Sequence, residues 1–266
     1  MSLPAPSELE DLLAFALHLA EQSEPAILPH FRAATAVTNK LEADFDPVTV
    51  ADTAAEKVMR QLIEQRFPDH GIFGEEFGIK EGTSPYTWIL DPIDGTRSFI
   101  FGSVVWTTLI GLNYEGTPVL GVMNQPYVRE TFFGSPAGAF CRRDGTDRRL
   151  IVRPAKQLSE ALVTTTAPAL YKSPEEAAFL ERIKTTARNI RYDGDAYFYS
   201  LVAAGQIDVA LDAGLQSYDI APLVPIIEAA GGIVSTWSRE PATHGGNIIA
   251  AASKQLYEEA LALLES

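Results

Sequence analysis

Two aspartates three residues apart stand in the segment WILDPIDGTRSF at positions 88–99. A buried strand over 86–90 would deliver Asp91 to its C-terminal end, where ligands collect in α/β proteins. Pro92 fixes the chain direction after it. Asp94 follows, so two carboxylates can converge on one point with the Ile93 carbonyl between them. Gly95 permits a tight turn. Thr96 opens a predicted helix whose unpaired N–H groups suit a phosphate. Oxygen donors of this kind match Mg²⁺, which shares its coordination sphere with substrate phosphate. The same residues also read as an Asp-Pro turn followed by an Asp-Gly turn, with no chemistry attached.

Three further acidic segments stand far from the first. IFGEEFG at 72–78 offers Glu75 and Glu76, as a ligand and an outer acceptor or as a solvated pair. DPVTVAD at 46–52 ends in Asp52, a helix cap, a ligand, or both. QSYDIAP at 216–222 carries Asp219 at a helix start, where a carboxylate also serves as a cap. Each segment is ambiguous alone; their chemistry depends on the elements that bring them together.

Those elements read as follows. A first helix follows Ser7 and Glu10, a capping-box pair, with Leu9, Leu12, Leu13 and Ala16 as its apolar stripe. A second helix spans 51–66, with Thr49 and Asp52 at capping-box spacing and Pro68 beyond its end. Strands at 104–112 and 119–124 flank the turn 114–117, a hairpin signal. Strands at 130–134 and 138–141 continue an antiparallel meander, and the charged stretch 142–149 is a candidate boundary. The second half alternates: strand 161–165, helix 174–187, helix 196–204, strand 207–211, helix 219–230, strands 233–236 and 247–251, helix 253–264. Pro222 fits the first turn of the 219–230 helix, whereas Pro225 costs it a hydrogen bond. The pattern is an α+β half, 1–147, followed by an α/β half, 148–266.

Composition narrows the function. The 266 residues carry a formal net charge of −14, which repels nucleic acid and also free phosphate esters unless a bound cation reverses the local field. The single cysteine, Cys141, rules out an intrachain disulfide and a thiolate zinc cage. The four histidines, His18, His30, His70 and His244, show no paired-ligand spacing. No G-x-S-x-G elbow and no Walker-A segment occur. The opening residues lack a basic stretch before an apolar one, and no run of about 18 apolar residues exists. A cytoplasmic enzyme with no membrane contact is the expectation.

GEE at 74–76, DPIDGT at 91–96, and YDIAP followed by EAAGG at 218–232 together resemble the inositol monophosphatase superfamily, in order and rough spacing over nearly the whole chain. The resemblance implies a layered αβαβα sandwich and a Mg²⁺-dependent phosphomonoesterase that uses two or three ions. It also implies a small phosphorylated substrate, a homodimer and, in many members, lithium inhibition. By position it implies that Glu75, Asp91 and the Ile93 carbonyl hold one metal and that Asp91, Asp94 and Asp219 hold a second. Asp52 would help place a third ion through water. Thr96 would work with Glu75 to orient the attacking water. Asp94, Gly95, Thr96 and Asp219 would also line the phosphate site.

Within the superfamily the chain is more similar to the histidinol-phosphatase branch. The resemblance rests on Arg97 in DGTRSF, Trp106, Gln125-Pro126, and the run from Gly194 to Gly214; Thr107 departs from the glycine expected there. Histidinol phosphate carries an ammonium group beside its ester, and a carboxylate would pair with it. Asp195 and Asp212 are the candidates, with Arg191 and Gly194 in the same loop. Asp195 also reads as the N-cap of the 196–204 helix. The aromatics Tyr192, Tyr197, Phe198 and Tyr199 wall an imidazole pocket or pack in the core. The expected reaction is hydrolysis of L-histidinol phosphate in histidine biosynthesis. The alternatives are an inositol-1-phosphate or broad sugar-phosphate phosphatase, or a non-catalytic metal- or anion-binding regulator.

Overall fold

The computed structural model describes residues 3–33, 37–39, 47–154 and 157–264. Asp46, which opens the DPVTVAD segment, lies outside them. Helix α1 (Pro6–Ile27) starts after Ala5 with no side-chain cap. Ser7 and Glu10 are therefore not a capping box. Pro6 takes the first helical position, where its missing N–H costs nothing. Strands β1 (Val37–Asn39) and β2 (Pro47–Thr49) pair antiparallel and lead into α2 (Val50–Arg66). The capping box expected here is present: Oδ2 of Asp52 accepts the Thr49 N–H at 2.8 Å, and Thr49 Oγ1 accepts the Ala51 N–H at 3.1 Å.

Strands β3 (Gly71–Gly74) and β4 (Gly78–Lys80) form a hairpin whose tight turn carries Glu75. β5 (Tyr86–Asp94) does not stop before Asp91 as the sequence suggested. It runs on through a bulge: Asp91 pairs with Leu109, but Asp94 pairs with Thr107, so three steps on one strand match two on the other. Residues i and i+3 of a regular strand point to opposite faces. One extra residue restores them to the same side. Pro92, which has no N–H for a ladder, sits inside this irregularity.

Helix α3 (Thr96–Phe101) follows Gly95, whose φ of 76° is left-handed. The meander comprises β6 (Thr107–Tyr114), β7 (Thr117–Gln125), β8 (Glu130–Ser135), β9 (Gly138–Arg143) and β10 (Thr146–Arg149). The charged stretch 142–149 thus closes the edge of an eight-stranded sheet, ordered β10-β9-β8-β7-β6-β5-β3-β4. The second sheet collects β11 (Leu162–Thr164), helix α4 (Pro174–Thr186), β12 (Asn189–Arg191), α5 (Asp195–Ala203) and β13 (Val209–Leu215). After these come α6 (Ser217–Ile220), α7 (Val224–Ala229), β14 (Ile233–Thr236), β15 (Gly246–Ala251) and α8 (Lys254–Ala262). Its strand order is β12-β11-β13-β15-β14.

The helix expected over 219–230 is two helices. Pro225 lies in the first turn of α7, where a missing N–H breaks nothing. The break lets the backbone press on the large sheet. Gly111, Gly121 and Gly134 are cross-strand neighbours on β6, β7 and β8. A Cβ on Gly121 would overlap the Pro222 carbonyl, and one on Gly134 would crowd Pro225 and Ile226 backbone.

Five layers result. α1 and α2 cover one face of the large sheet through Leu12, Leu19, Met59 and Ile63, against Ile72, Trp88, Leu90 and Ile110. α5, α6 and α7 fill the middle, where Leu109 and Met123 of the large sheet share a cluster with Val202, Ile226, Ala210 and Ile248. α4 and α8 cover the far face of the small sheet through Phe179, Ile183, Leu256 and Leu261. This is the expected αβαβα sandwich of mixed α+β and α/β type. Among the described residues, no helix is long and apolar enough to cross a membrane.

Candidate active site

A cavity of about 240 Å³ opens where β5, β13 and the starts of α3, α5 and α6 meet. Its wall carries Glu75, Asp91, Asp94, Asp195, Asp212 and Asp219, with Arg97 as the basic residue among them. Each arrives by a different route. The parallel β3–β5 pairing places Glu75 beside the strand that carries Asp91, with the Glu75 N–H donating to the Leu90 carbonyl at 3.1 Å. The β5 bulge turns Asp91 and Asp94 to one side. α6 presents Asp219, whose Oδ2 accepts the Gln216 N–H at 2.7 Å. Asp219 is thus a cap and a cavity residue at once.

One ligand atom each from Asp91, Asp94 and Asp219 lie within 4.8 Å of one another. Burial raises the Asp91 carboxyl well above its usual range, and Glu75, Asp94 and Asp219 add to the effect by their charge. Burial also raises Asp94, reinforced by Asp195 and Asp219, and pushes Asp219 up to about 7. Oδ1 of Asp91 is buried and has no hydrogen-bond donor. An orphaned carboxylate oxygen costs free energy unless a cation meets it. The donors are all oxygen, so a hard divalent ion such as Mg²⁺ fits them.

Thr96 faces the cavity, and its hydroxyl lies 3.1 Å from the Ile93 carbonyl and 3.4 Å from Oδ1 of Asp52. Asp52 is fully buried behind Thr96 rather than on the wall. Gly95 lines the cavity, and a Cβ there would lie 2.7 Å from Oδ2 of Asp195.

The residues expected to read the rest of a substrate divide. Asp195 is on the wall. It has a φ of 42° and accepts from Ser98 Oγ at 2.6 Å, and its carboxyl is raised by burial. It is not the side-chain cap of α5; Asp94 is, through Oδ2 and the Ala196 N–H at 2.7 Å. Asp212 is also on the wall, but its oxygens already accept from Thr165 Oγ1, the Thr166 N–H, Thr166 Oγ1 and Tyr199 OH. Burial pushes it up to about 6. Arg191 and Gly194 are not on the wall. Arg191 is exposed on edge strand β12, and its carbonyl, not its guanidinium, serves the loop by accepting the Thr165 N–H at 3.1 Å. Gly194 is buried against Phe198, whose ring leaves no room for a Cβ. Of the four aromatics, Tyr199 lines the cavity; Tyr197 instead bonds Glu130. Sequence reading missed Thr166, Leu170 and Leu215, which gain their place only when β11 and β13 pair.

The chain is similar to known proteins over nearly its full length. The model of the inositol monophosphatase family matches residues 8–266. The chain belongs to the inositol monophosphatase family. It is 37% identical over 281 residues to a bifunctional phosphatase, IMPL2, of Arabidopsis thaliana chloroplasts, an alignment covering 100% of this chain and 80% of that protein. It is 37% identical over 222 residues to a histidinol-phosphatase of Chlorobaculum parvum, covering 83% of each. The structure of an inositol monophosphatase from Zymomonas mobilis superposes with a TM-score of 0.85 at 39% identity, covering 97% of this chain and 98% of the other. The chain is therefore a phosphatase of this family, and the carboxylates of Asp91, Asp94 and Asp219 form an acidic cluster that could hold a metal ion.

Proposed function

We propose that this family member hydrolyses L-histidinol phosphate to L-histidinol and phosphate. Asp195 carries the reading. It is a carboxylate on the cavity wall, beside Gly95 at the phosphate end, where an ammonium next to the ester would need a partner. The histidinol-phosphatase relative supports the same substrate.

In this proposal Glu75, Asp91, Asp94, Asp219 and the Ile93 carbonyl would hold two Mg²⁺ ions, with a third, weaker one near Asp52. Bound Mg²⁺ would neutralise phosphoryl charge and acidify water. Thr96, fixed by Ile93 and Asp52, directs the attacking water, and Glu75 steers its proton. Gly95 lets the start of α3 approach the phosphate without a Cβ. Asp94 serves both the cation and the α5 start, which keeps Asp195 at the wall. The working assembly is a homodimer by family likeness, and light scattering after gel filtration tests it.

Inositol-1-phosphate is the second reading, favoured by the likeness to the Zymomonas mobilis enzyme. The deciding experiment compares kcat/KM for the two esters at equal Mg²⁺. A preference for histidinol phosphate of tenfold or more, about 1.4 kcal/mol, supports the first reading. An equal preference for inositol-1-phosphate would replace it. No Mg²⁺-dependent phosphate release from any ester would leave a non-catalytic cation or anion binder.

A further inference from the structure

Glu56 lies one turn beyond Asp52 on α2, fully buried beneath the turn that joins β3 to β4. Its carboxylate gathers three donors. Oε2 accepts the Glu76 N–H at 2.7 Å, and Oε1 accepts the Phe77 N–H at 3.2 Å and Arg60 Nε at 2.7 Å. Arg60 continues the link, because its Nη2 donates to the Gly78 carbonyl. Arg60 and Lys57 also sit over the Phe77 ring, at 5.9 and 5.5 Å from its centre. Gly74 has no Cβ where one would overlap the Glu56 carboxylate. Apart from the Glu56–Arg60 pair itself, these contacts land on Gly74 and on residues 76–78, on either side of Glu75.

A surface turn needs no buried charge to close it. Burying a carboxylate is costly, and the cost is met only when its geometry is fully satisfied. Here the ion pair fastens backbone, and the backbone it fastens is the one that aims Glu75 into the cavity. One turn back on the same helix, Asp52 meets Thr96 at 3.4 Å. Side chains four apart share one helix face. α2 thus meets Thr96 directly, through Asp52, and fastens the backbone that follows Glu75, through Glu56.

We propose that Glu56, with Arg60, is a positioning residue that fixes the 74–78 turn and holds Glu75 in register with Thr96. The inference rests on the reading of Glu75 as a cation-holding, proton-steering group.

The test is a double-mutant cycle of Glu56→Gln and Glu75→Gln on the full chain, read by Mg²⁺ titration calorimetry, kcat and KM, with Tm recorded for each variant. Glu56→Gln should weaken Mg²⁺ binding about tenfold and lower kcat about tenfold, with KM for the ester changed less than about twofold. In the Glu75→Gln background the same substitution should change the Mg²⁺ Kd less than about twofold, because the group it positions is gone. Equal factors in both backgrounds, or no effect in either, would overturn the proposal and leave Glu56 as a stabilising ion pair. If Glu75→Gln alone leaves Mg²⁺ binding and turnover intact, the reading of the site fails and takes the proposal with it. Should Glu56→Gln not fold, Arg60→Lys enters the same cycle with the same expected non-additivity, since it keeps a cation for Glu56 but gives up the simultaneous bond to Gly78.

Discussion

Oδ2 of Asp94 accepts the backbone N–H of Ala196 at 2.7 Å, joining residues 102 positions apart. A carboxylate from the large sheet thereby caps a helix of the middle layer, where the helix dipole favours negative charge. The bond makes one residue answer to two demands: it belongs to the acidic cluster that could hold a cation, and it fixes the backbone beside Asp195.

Asp94→Asn should separate those demands. An amide oxygen still accepts from Ala196, so the fold should survive with Tm within a few degrees. Phosphate release should fall on the order of 10²-fold or more, because the proposed site would lose a ligand charge opposite the phosphoryl group. A malachite-green assay beside thermal denaturation checks it. Near-normal turnover would remove Asp94 from the site.

Asp195→Asn should raise KM for histidinol phosphate by about tenfold or more, as expected for a lost charge-assisted hydrogen bond of about 1.5–3 kcal/mol. The effect on inositol-1-phosphate, which carries no ammonium, should stay within about threefold. Parallel losses on both esters would assign Asp195 to holding Ser98 and the α3 start instead.

Without metal, stability should fall as pH rises. The carboxyls of Asp219, raised to about 7, and Asp212, raised to about 6, bind protons more tightly folded than unfolded. Groups raised in this way contribute stability that is complete below the unfolded carboxylate range and is lost as pH climbs through 6 to 7. Chelator-treated protein should therefore have a higher Tm at pH 5 than at pH 8. Saturating Mg²⁺ should raise Tm at pH 8 more than at pH 5, since at the lower pH protons compete for the same oxygens. Calorimetric scans with and without Mg²⁺ measure both. A flat metal-free profile would mean that these carboxyls ionise freely.

Gly121→Ala should destabilise the protein by about 3 kcal/mol or more. The new Cβ meets the Pro222 carbonyl, which is backbone and cannot rotate away. Thermal unfolding of the variant is the measurement. Ala at Gly116, where a Cβ meets nothing within 4 Å but φ is +79°, provides a control that carries backbone strain without the clash. Gly121 itself is not left-handed, so a loss there of less than about 1 kcal/mol would mean that the Pro222 backbone gives way and the α6–α7 contact does not set the cost.

Much of this architecture was legible in the chain because it is local. The α2 capping box, the 114–117 hairpin and the closing helix follow from local patterns, and each is present. The failures share a cause as well. The helix expected over 219–230 breaks because the backbone around Pro222 docks on a glycine row contributed by three other strands. β12 has three residues and no periodicity to read. Arg191 looked like a substrate residue because it stands near Asp195 in sequence, but strand pairing leaves its side chain exposed.

The amino-acid order alone determined which carboxylates were available, their order along the chain and the family they belong to, since side-chain chemistry and short motifs survive without coordinates. Only the tertiary structure decided which of them share a cavity. A one-residue bulge puts Asp91 and Asp94 on one side, Asp212 is consumed by the 165–166 loop, and Glu56 is drawn beneath Glu75. Such outcomes depend on pairing register and on hydrogen bonds between distant segments, which no local spacing encodes.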